Sequence, residues 1–560
     1  MAEERAYLYR NAGTKASPVW ERWYPRTMVD AVEMGDEDGT TLAEYLKNIG
    51  TGFSDIYVTP EQFGAKGNGI DDDSPALLKA LETGRPVMLK QDLYLKSRIL
   101  VIDKNVFLDG CGYTLHCDGG ALDFKDNSDF FAIYASTLPE GKDGDCSIIS
   151  ETNTFYDTYH RGYVSYHGRK PIPQEETYTD YTESKFNEYR AVLKNIKFQC
   201  QNFKGLVALN LRKMCHSCIQ NVSTVCTDTE GTGSVGILVD SCCYCTICDC
   251  YSSGWTDDLS CDVTNRGYGI CANGNGIVID GCEAWNCKHT VSVAGNRSYW
   301  STDIKVQNCI FGLEYKEATR IDGSQRYQQV MDSHAAGLGV NFENCTIRIL
   351  GSNESGSPTA FLISAPDVRI SNLLVQCDGG GCWGNAFGLA ERVYLDQVRG
   401  KNLVLQPNSG YENLKEAYIS GCVFRRVQNA YNHPLKLYMT DTIVLELIDG
   451  VQWLRADNCK LYHQLSWPSK ACITVLESGI FTNCVIYGHD EETIPPARSI
   501  IQAPANSIKM KGCMIYIRNG KFRICDTEQK DAVDSDNWIE NIFGFHLDTE
   551  NAILDKNELF

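Results

Sequence analysis

Histidine and aspartate gather at short spacing in the middle of this chain. They run as Cys287-Lys-His289, then Asp303, then Asp332-Ser-His334 shortly before Phe342-Glu-Asn-Cys345. A histidine beside a carboxylate can give or take a proton near neutral pH, so these residues have the types needed for a general acid and base. Cutting a glycosidic bond takes a proton donor and a carboxylate roughly 5–10 Å apart. Eliminating across one takes a base that removes a proton beside a sugar carboxyl group. Asp332, His334, His289 and Asp303 are the candidates for that chemistry. Around them Asp257, Asp258 and Glu314 supply further carboxylates, Arg297 and Arg320 suit an anionic sugar, and Trp255 offers a flat ring for binding. The same residue types also cap turns and satisfy buried polar groups, and the sequence leaves that alternative open.

What must position these residues is a repeat. An apolar residue, a variable one, usually Asn, Asp or Gly, and then Cys or an aliphatic recur in tetrads. These begin at Leu108, Leu193, Ile219, Ile247, Ile279, Val306, Phe342, Ile370, Leu395, Ile419, Ala456, Phe481 and Met510. Nine of them end in cysteine: Cys111, Cys250, Cys282, Cys309, Cys345, Cys422, Cys459, Cys484 and Cys513. From Ile196 to Cys513 most steps are between 24 and 32 residues, and short alternating runs such as Cys345-Thr-Ile-Arg-Ile follow the tetrad. That is the pattern of an all-β solenoid, a parallel β-helix whose coils stack about 4.8 Å apart. Asn or Gly suits a tight bend, and a small apolar thiol suits the inward site after it.

A rival reading of the thiols is zinc. Cys215-His-Ser-Cys218 and Cys245-Thr-Ile-Cys248 are two C-x-x-C pairs at near-ribbon spacing. The repeat explains inward thiols there without a metal, so no metal and no cofactor is assigned.

The chain has 560 residues, a net charge of −20 and 26 cysteines. No Lys/Arg-dense run offers a face for nucleic acid. No apolar run is long enough to span a membrane, and the opening residues lack a signal peptide's apolar core. Synthesis and folding in a cytoplasm, with mostly reduced thiols, are therefore expected.

Residues 63–84 begin Phe-Gly-Ala-Lys-Gly-Asn-Gly-Ile-Asp-Asp-Asp, with Ser74-Pro75 opening an amphipathic helix. Asp73 reads as its N-cap and Gly84 as its stop. The stretch resembles the N-terminal signature of pectate-lyase-like right-handed β-helix proteins, a family that includes many bacteriophage tailspikes. Trp20-Glu-Arg-Trp-Tyr-Pro-Arg-Thr, with Asp38-Gly-Thr-Thr-Leu42, resembles an element near the start of phage tail fibres and baseplate proteins. The resemblance implies a right-handed parallel β-helix with an N-terminal capping helix, assembled as a homotrimer. Residues 1–55 would attach it to a virion or baseplate, and 56–525 would form the solenoid. Residues 526–560 would form a C-terminal cap or trimer contact. The tyrosine-rich insertion at 138–190, with Tyr163 and Tyr166, would meet sugar rings or a neighbouring subunit.

The function so implied is a virion spike or receptor-binding protein that binds, and in one version depolymerises, a bacterial surface polysaccharide. The alternatives are a non-catalytic tail component or adhesin and, more remotely, a cellular pectate-lyase-like enzyme. The Asn-Thr-Asp and Gly-His-Gly signatures of polygalacturonases are absent, as is a pectate-lyase-type aspartate cluster for calcium.

Overall fold

A computed structural model describes residues 57–120, 128–135, 189–203, 206–227, 234–256, 267–294, 301–315, 328–334, 337–351, 358–378, 383–386, 390–405, 414–429, 434–462, 473–489, 498–504, 508–518 and 522–526, with four short strands, Tyr9–Asn11, Trp20–Arg22, Ile539–Glu540 and Phe545–Leu547. Most of the 1–55 and 526–560 segments, and the insertion with Tyr163 and Tyr166, lie outside the described residues.

The apolar residue that opens each tetrad sits on a single ladder. In parallel register, Leu108 pairs with Leu193, then Ile219, Ile247, Ile279, Val306, Phe342, Ile370, Leu395, Ile419, Met439, Ala456, Phe481 and Met510. All are buried in one continuous core. Strand follows strand one coil up, so the chain is a parallel β-helix. Met439 is a rung the tetrad pattern misses, because Thr442 stands where cysteine usually does.

Each rung is followed by a backbone corner. The residue before the inward side chain takes a left-handed conformation: φ is 56° at Asn308, 53° at Asn344, 63° at Gly281 and 60° at Gly421, each before a thiol, and 50° at Asn372, before Leu373. Gly and Asn adopt it at least cost. The asparagines also bond upward through their side chains. Asn344 Nδ2 donates to Asn308 Oδ1 at 3.3 Å, and Asn372 Nδ2 donates to Asn344 Oδ1 at 2.9 Å.

After the corner the thiol turns inward, where two carbonyl oxygens lie within reach to accept its S–H hydrogen bond. Cys282 Sγ lies 3.5 Å from both Asp280 O and Ile247 O, the second one coil below. Cys422 lies 3.2 Å from Ser420 O and 3.4 Å from Leu395 O. Thr442 repeats the arrangement with its hydroxyl, 2.9 Å from Thr440 O and 3.4 Å from Ile419 O. The position therefore takes a compact side chain, either one that donates to these carbonyls or a plain aliphatic such as Ile196, Val222, Leu373 or Val398. Eight of the nine expected thiols occupy it, but Cys111 does not: it is exposed and itself takes the left-handed corner at φ 50°.

The zinc alternative does not assemble. Cys245 is in the main core, Cys215 packs on Cys243 in a separate cluster, and Cys218 and Cys248 are half-buried.

The helix Ser74–Glu82 buries Ala76, Leu77, Ala80 and Leu81 in the same core. Asp73 does not cap it through its side chain. Its carboxylate instead accepts from Lys66 N at 2.7 Å, Gly67 N at 3.1 Å and Tyr94 N at 3.0 Å, tying the glycine-rich loop to the first coil.

A second ladder carries the site. Strands Val235–Cys243, Tyr268–Asn275, His289–Val293, Gln329–Ser333 and Thr359–Ile363 pair in that order, in parallel. His289–Val293 and Thr359–Ile363 are buried at every residue. The simple inside–outside alternation expected from sequence therefore fails here, as it does in parallel sheets covered on both faces.

Two predictions follow from the corners and thiols. Asn344→Val should lower stability by about 1–2 kcal/mol, since a β-branched residue resists φ near 53°, and Asn344→Gly should cost less. Urea midpoints of the two variants test this, and equal losses would remove the left-handed explanation. In native protein, a thiol-alkylating reagent should label Cys111 well before Cys309, Cys345 or Cys484, because only the first is exposed. Peptide mapping reads the order.

Candidate functional site

His289, Asp332 and His334 meet on the second ladder. Direct register pairs His289 with Gln329, and Ser292 with Asp332. The two reacting types are thus offset by three residues along the strand, and the His289 ring spans the gap diagonally. His289 Nδ1 lies 2.9 Å from Asp332 Oδ2, and His334 Nε2 lies 3.0 Å from the same oxygen. His334 is held where it is by its backbone N–H, which donates to Val293 O at 2.8 Å. Tyr268, one coil below, stacks on the His289 ring at 4.5 Å and 17°.

The carboxylate is the buried centre of the group. Asp332 is 0 % exposed and His289 8 %, while the His334 side chain is 23 % exposed. One oxygen of Asp332 serves both rings, whereas Oδ1 is buried with no hydrogen-bond partner.

Burial alone would raise the Asp332 carboxyl. The charge of His334 and the hydrogen bonds from both rings outweigh it and hold the group well below the usual carboxylate range. Burial pushes His289 down to about 4, against the pull of Asp332. For His334 burial acts in the same direction, but the Asp332 charge wins and raises it. Burial and the shared anion thus push the two rings in opposite directions, His289 toward its neutral form and His334 toward its protonated one. Lys288, itself buried, opposes positive charge on both rings.

The remaining candidates are elsewhere. Asp303 is an exposed corner residue at φ 52°, and no hydrogen bond joins it to the cluster. Glu314 is exposed at the end of the strand Ile310–Glu314, on another ladder. Trp255 is a correction: it is 0 % exposed, its indole N–H donates to Thr224 O at 3.4 Å, and it packs edge-on against Phe203. A ring so enclosed offers no face to a ligand. Asp257, Asp258 and Arg297 lie outside the described residues. Among the described residues, then, the paired carboxylates of a glycosidase are not brought together at this cluster. What assembles is one carboxylate with two imidazoles.

No known protein family matches the sequence, and no curated protein does. Solved structures do match in fold. The tailspike gp49 of Pseudomonas phage LKA1 is 12 % identical, with 88 % of this chain and 84 % of that one covered, at a TM-score of 0.39. The tailspike gp61 of Pseudomonas phage phi297 is 10 % identical, with 77 % and 80 % covered, at a TM-score of 0.43. PfbA, a surface adhesin of Streptococcus pneumoniae, is 10 % identical, with 86 % and 99 % covered, at 0.29. In fold, this chain resembles phage tailspikes. No residue role passes from them at such identities.

Tyr268 was missed by sequence reasoning, as was Lys288. No motif marks either, and only the strand register brings Tyr268 beside His289. Because Trp255 is core, Trp255→Ala should cost about 3–5 kcal/mol in stability. A thermal melt checks this, and an unchanged midpoint would contradict the enclosed position.

Proposed function

We propose that this protein is a phage tail spike that binds a bacterial surface polysaccharide beside the His289, Asp332 and His334 group, where the His334 side chain reaches solvent. His289, Asp332 and His334 would act on the bound glycan. In this reading it is a homotrimer held to the tail through residues 1–55. The observation that supports it is a concentration of chemistry on one rigid sheet. Asp332, both imidazoles and the Tyr268 ring converge there. Buried acceptors without a donor gather on the same two coils: Thr290 Oγ1, Ser292 Oγ, Gln328 Oε1 and Gln329 Oε1 as well as Asp332 Oδ1. These atoms are enclosed, so they mark a strained polar interior beside the site, while the half-buried tyrosine offers the kind of ring that suits a sugar. With His289 Nδ1 and His334 Nε2 committed to Asp332, the opposite ring nitrogens are the ones left to face a glycan.

Purified protein tested against capsular and O-antigen polysaccharides should retain at least one. It should release from it new reducing ends, or products with the ultraviolet absorbance of an unsaturated sugar. His289→Ala and His334→Ala should each slow product release about a hundredfold. A glycan bound but never cut would leave the adhesin version standing. Failure to bind any polysaccharide of the host that the virion adsorbs to would remove the spike reading. Sedimentation should report three times the 62.5 kDa chain mass.

A further inference from the structure

We propose that His289, Asp332 and His334 bind one divalent transition-metal ion, and that its open coordination positions take an oxygen of the glycan. The first half stands on the donor geometry alone, while the second rests on the function proposed above. The three donor atoms lie within 4.8 Å of one another, and they form the one such group among the described residues. The two imidazole nitrogens sit 2.9 and 3.0 Å from Asp332 Oδ2. Donors bound at about 2.1 Å to one ion and at right angles to each other stand ~3.0 Å apart, and tetrahedral ones ~3.4 Å apart. The two nitrogen–oxygen separations match that spacing, and the two nitrogens lie within 4.8 Å of each other, so the three donors surround a point that an ion can take in place of the two hydrogen bonds.

A second observation points to a ligand independently. Asp332 Oδ1 is fully buried and has no hydrogen-bond partner. A buried carboxylate oxygen left bare is costly, and a cation bound by both carboxylate oxygens of Asp332 removes that cost. The site is also built to keep its shape. Tyr268 fixes the plane of His289 by stacking, and the backbone of His334 is pinned to Val293.

The chemistry of the set selects the ion. Two imidazoles and one carboxylate suit zinc, iron, manganese, cobalt or nickel, whereas calcium and magnesium require oxygen donors. Three protein ligands leave at least one position for water or substrate, as in catalytic rather than structural sites. His334 is the most exposed member of the three, which puts the open side toward solvent there.

The test begins with the full-length protein stripped by a chelator. Titration with zinc chloride, followed by calorimetry and elemental analysis, should give about one equivalent per chain. Asp332→Ala and His334→Ala should each weaken uptake about tenfold or more, while Asp441→Asn at a distant corner should not. Should Asp332→Ala fail to fold, His334→Gln and the visible spectrum of cobalt-loaded wild type take its place. Nitrogen-ligated cobalt supports the site, and a spectrum of hexa-aqua cobalt overturns it. No uptake by folded wild type, or uptake that survives loss of all three ligands, also overturns it.

Glycan retention is measured separately, with and without zinc. Metal binding without any glycan retention would sink the spike function and leave the metal site. Glycan retention unchanged by zinc would sink the assignment of the open positions.

Discussion

The corner is the constraint on which the rest depends. At one place in every coil the chain must turn through a left-handed residue and resume as a strand directly over the strand below. If the turn comes one residue late, every side chain in the next strand changes face. The sequence answers mostly with Asn, Gly or Asp at the corner, and with a compact inward side chain after it, either an aliphatic or one short donor. Thr442 is informative because it breaks the composition yet keeps the physics: its hydroxyl reaches the same two kinds of carbonyl as the thiols do. The repeat is therefore less a cysteine motif than a requirement for a compact inward side chain, which Ile196, Val222, Leu373 and Val398 meet without a donor.

Once the corners are fixed, like residues stack on like without further instruction. The apolar ladder from Leu108 to Met510 fills the core, and Tyr394, Tyr418 and Tyr438 lie over one another at 5.0 and 4.8 Å. Such stacking makes a stiff body, since each coil is bonded along its length to the coils on either side. Stiffness matters for a site assembled from separate coils. His289 and Asp332 are 43 residues apart in sequence, yet the ladder holds them within hydrogen-bond distance with no loop to adjust.

Much of the fold was legible because its determinants are local. The tetrad, the corner residue and the amphipathic helix each announce themselves within a dozen residues. The failures are of another kind. Cys111 has the right neighbours but sits at the corner itself, since the chain there turns one residue later than the tetrad implies. Asp73 looks like a cap, yet its carboxylate bonds Tyr94 N, 21 residues on. Trp255 beside two aspartates reads as a surface platform, but Phe203 covers it. In each case the deciding partner is remote in sequence, and loop lengths between coils set which partner that is.

The candidate site shows the same limit more sharply. Histidine and aspartate could be picked out by type, and consecutive coils could be expected to bring them together. Equivalent positions do not in fact face each other, because His289 registers with Gln329 and reaches Asp332 on the diagonal. That diagonal is what makes the group unusual. Direct opposition would have set one ring against one carboxylate oxygen. The offset instead lets His334, two residues beyond Asp332, approach the same oxygen from the other side. Two nitrogens on one oxygen satisfy that oxygen twice and leave its twin bare in a place closed to water. A core built only for stability would have removed such an atom, since apolar residues of similar volume fill neighbouring coils at no electrostatic cost. A buried carboxylate between two imidazoles is the strongest physical reason to look for function here and not among the exposed carboxylates of the corners.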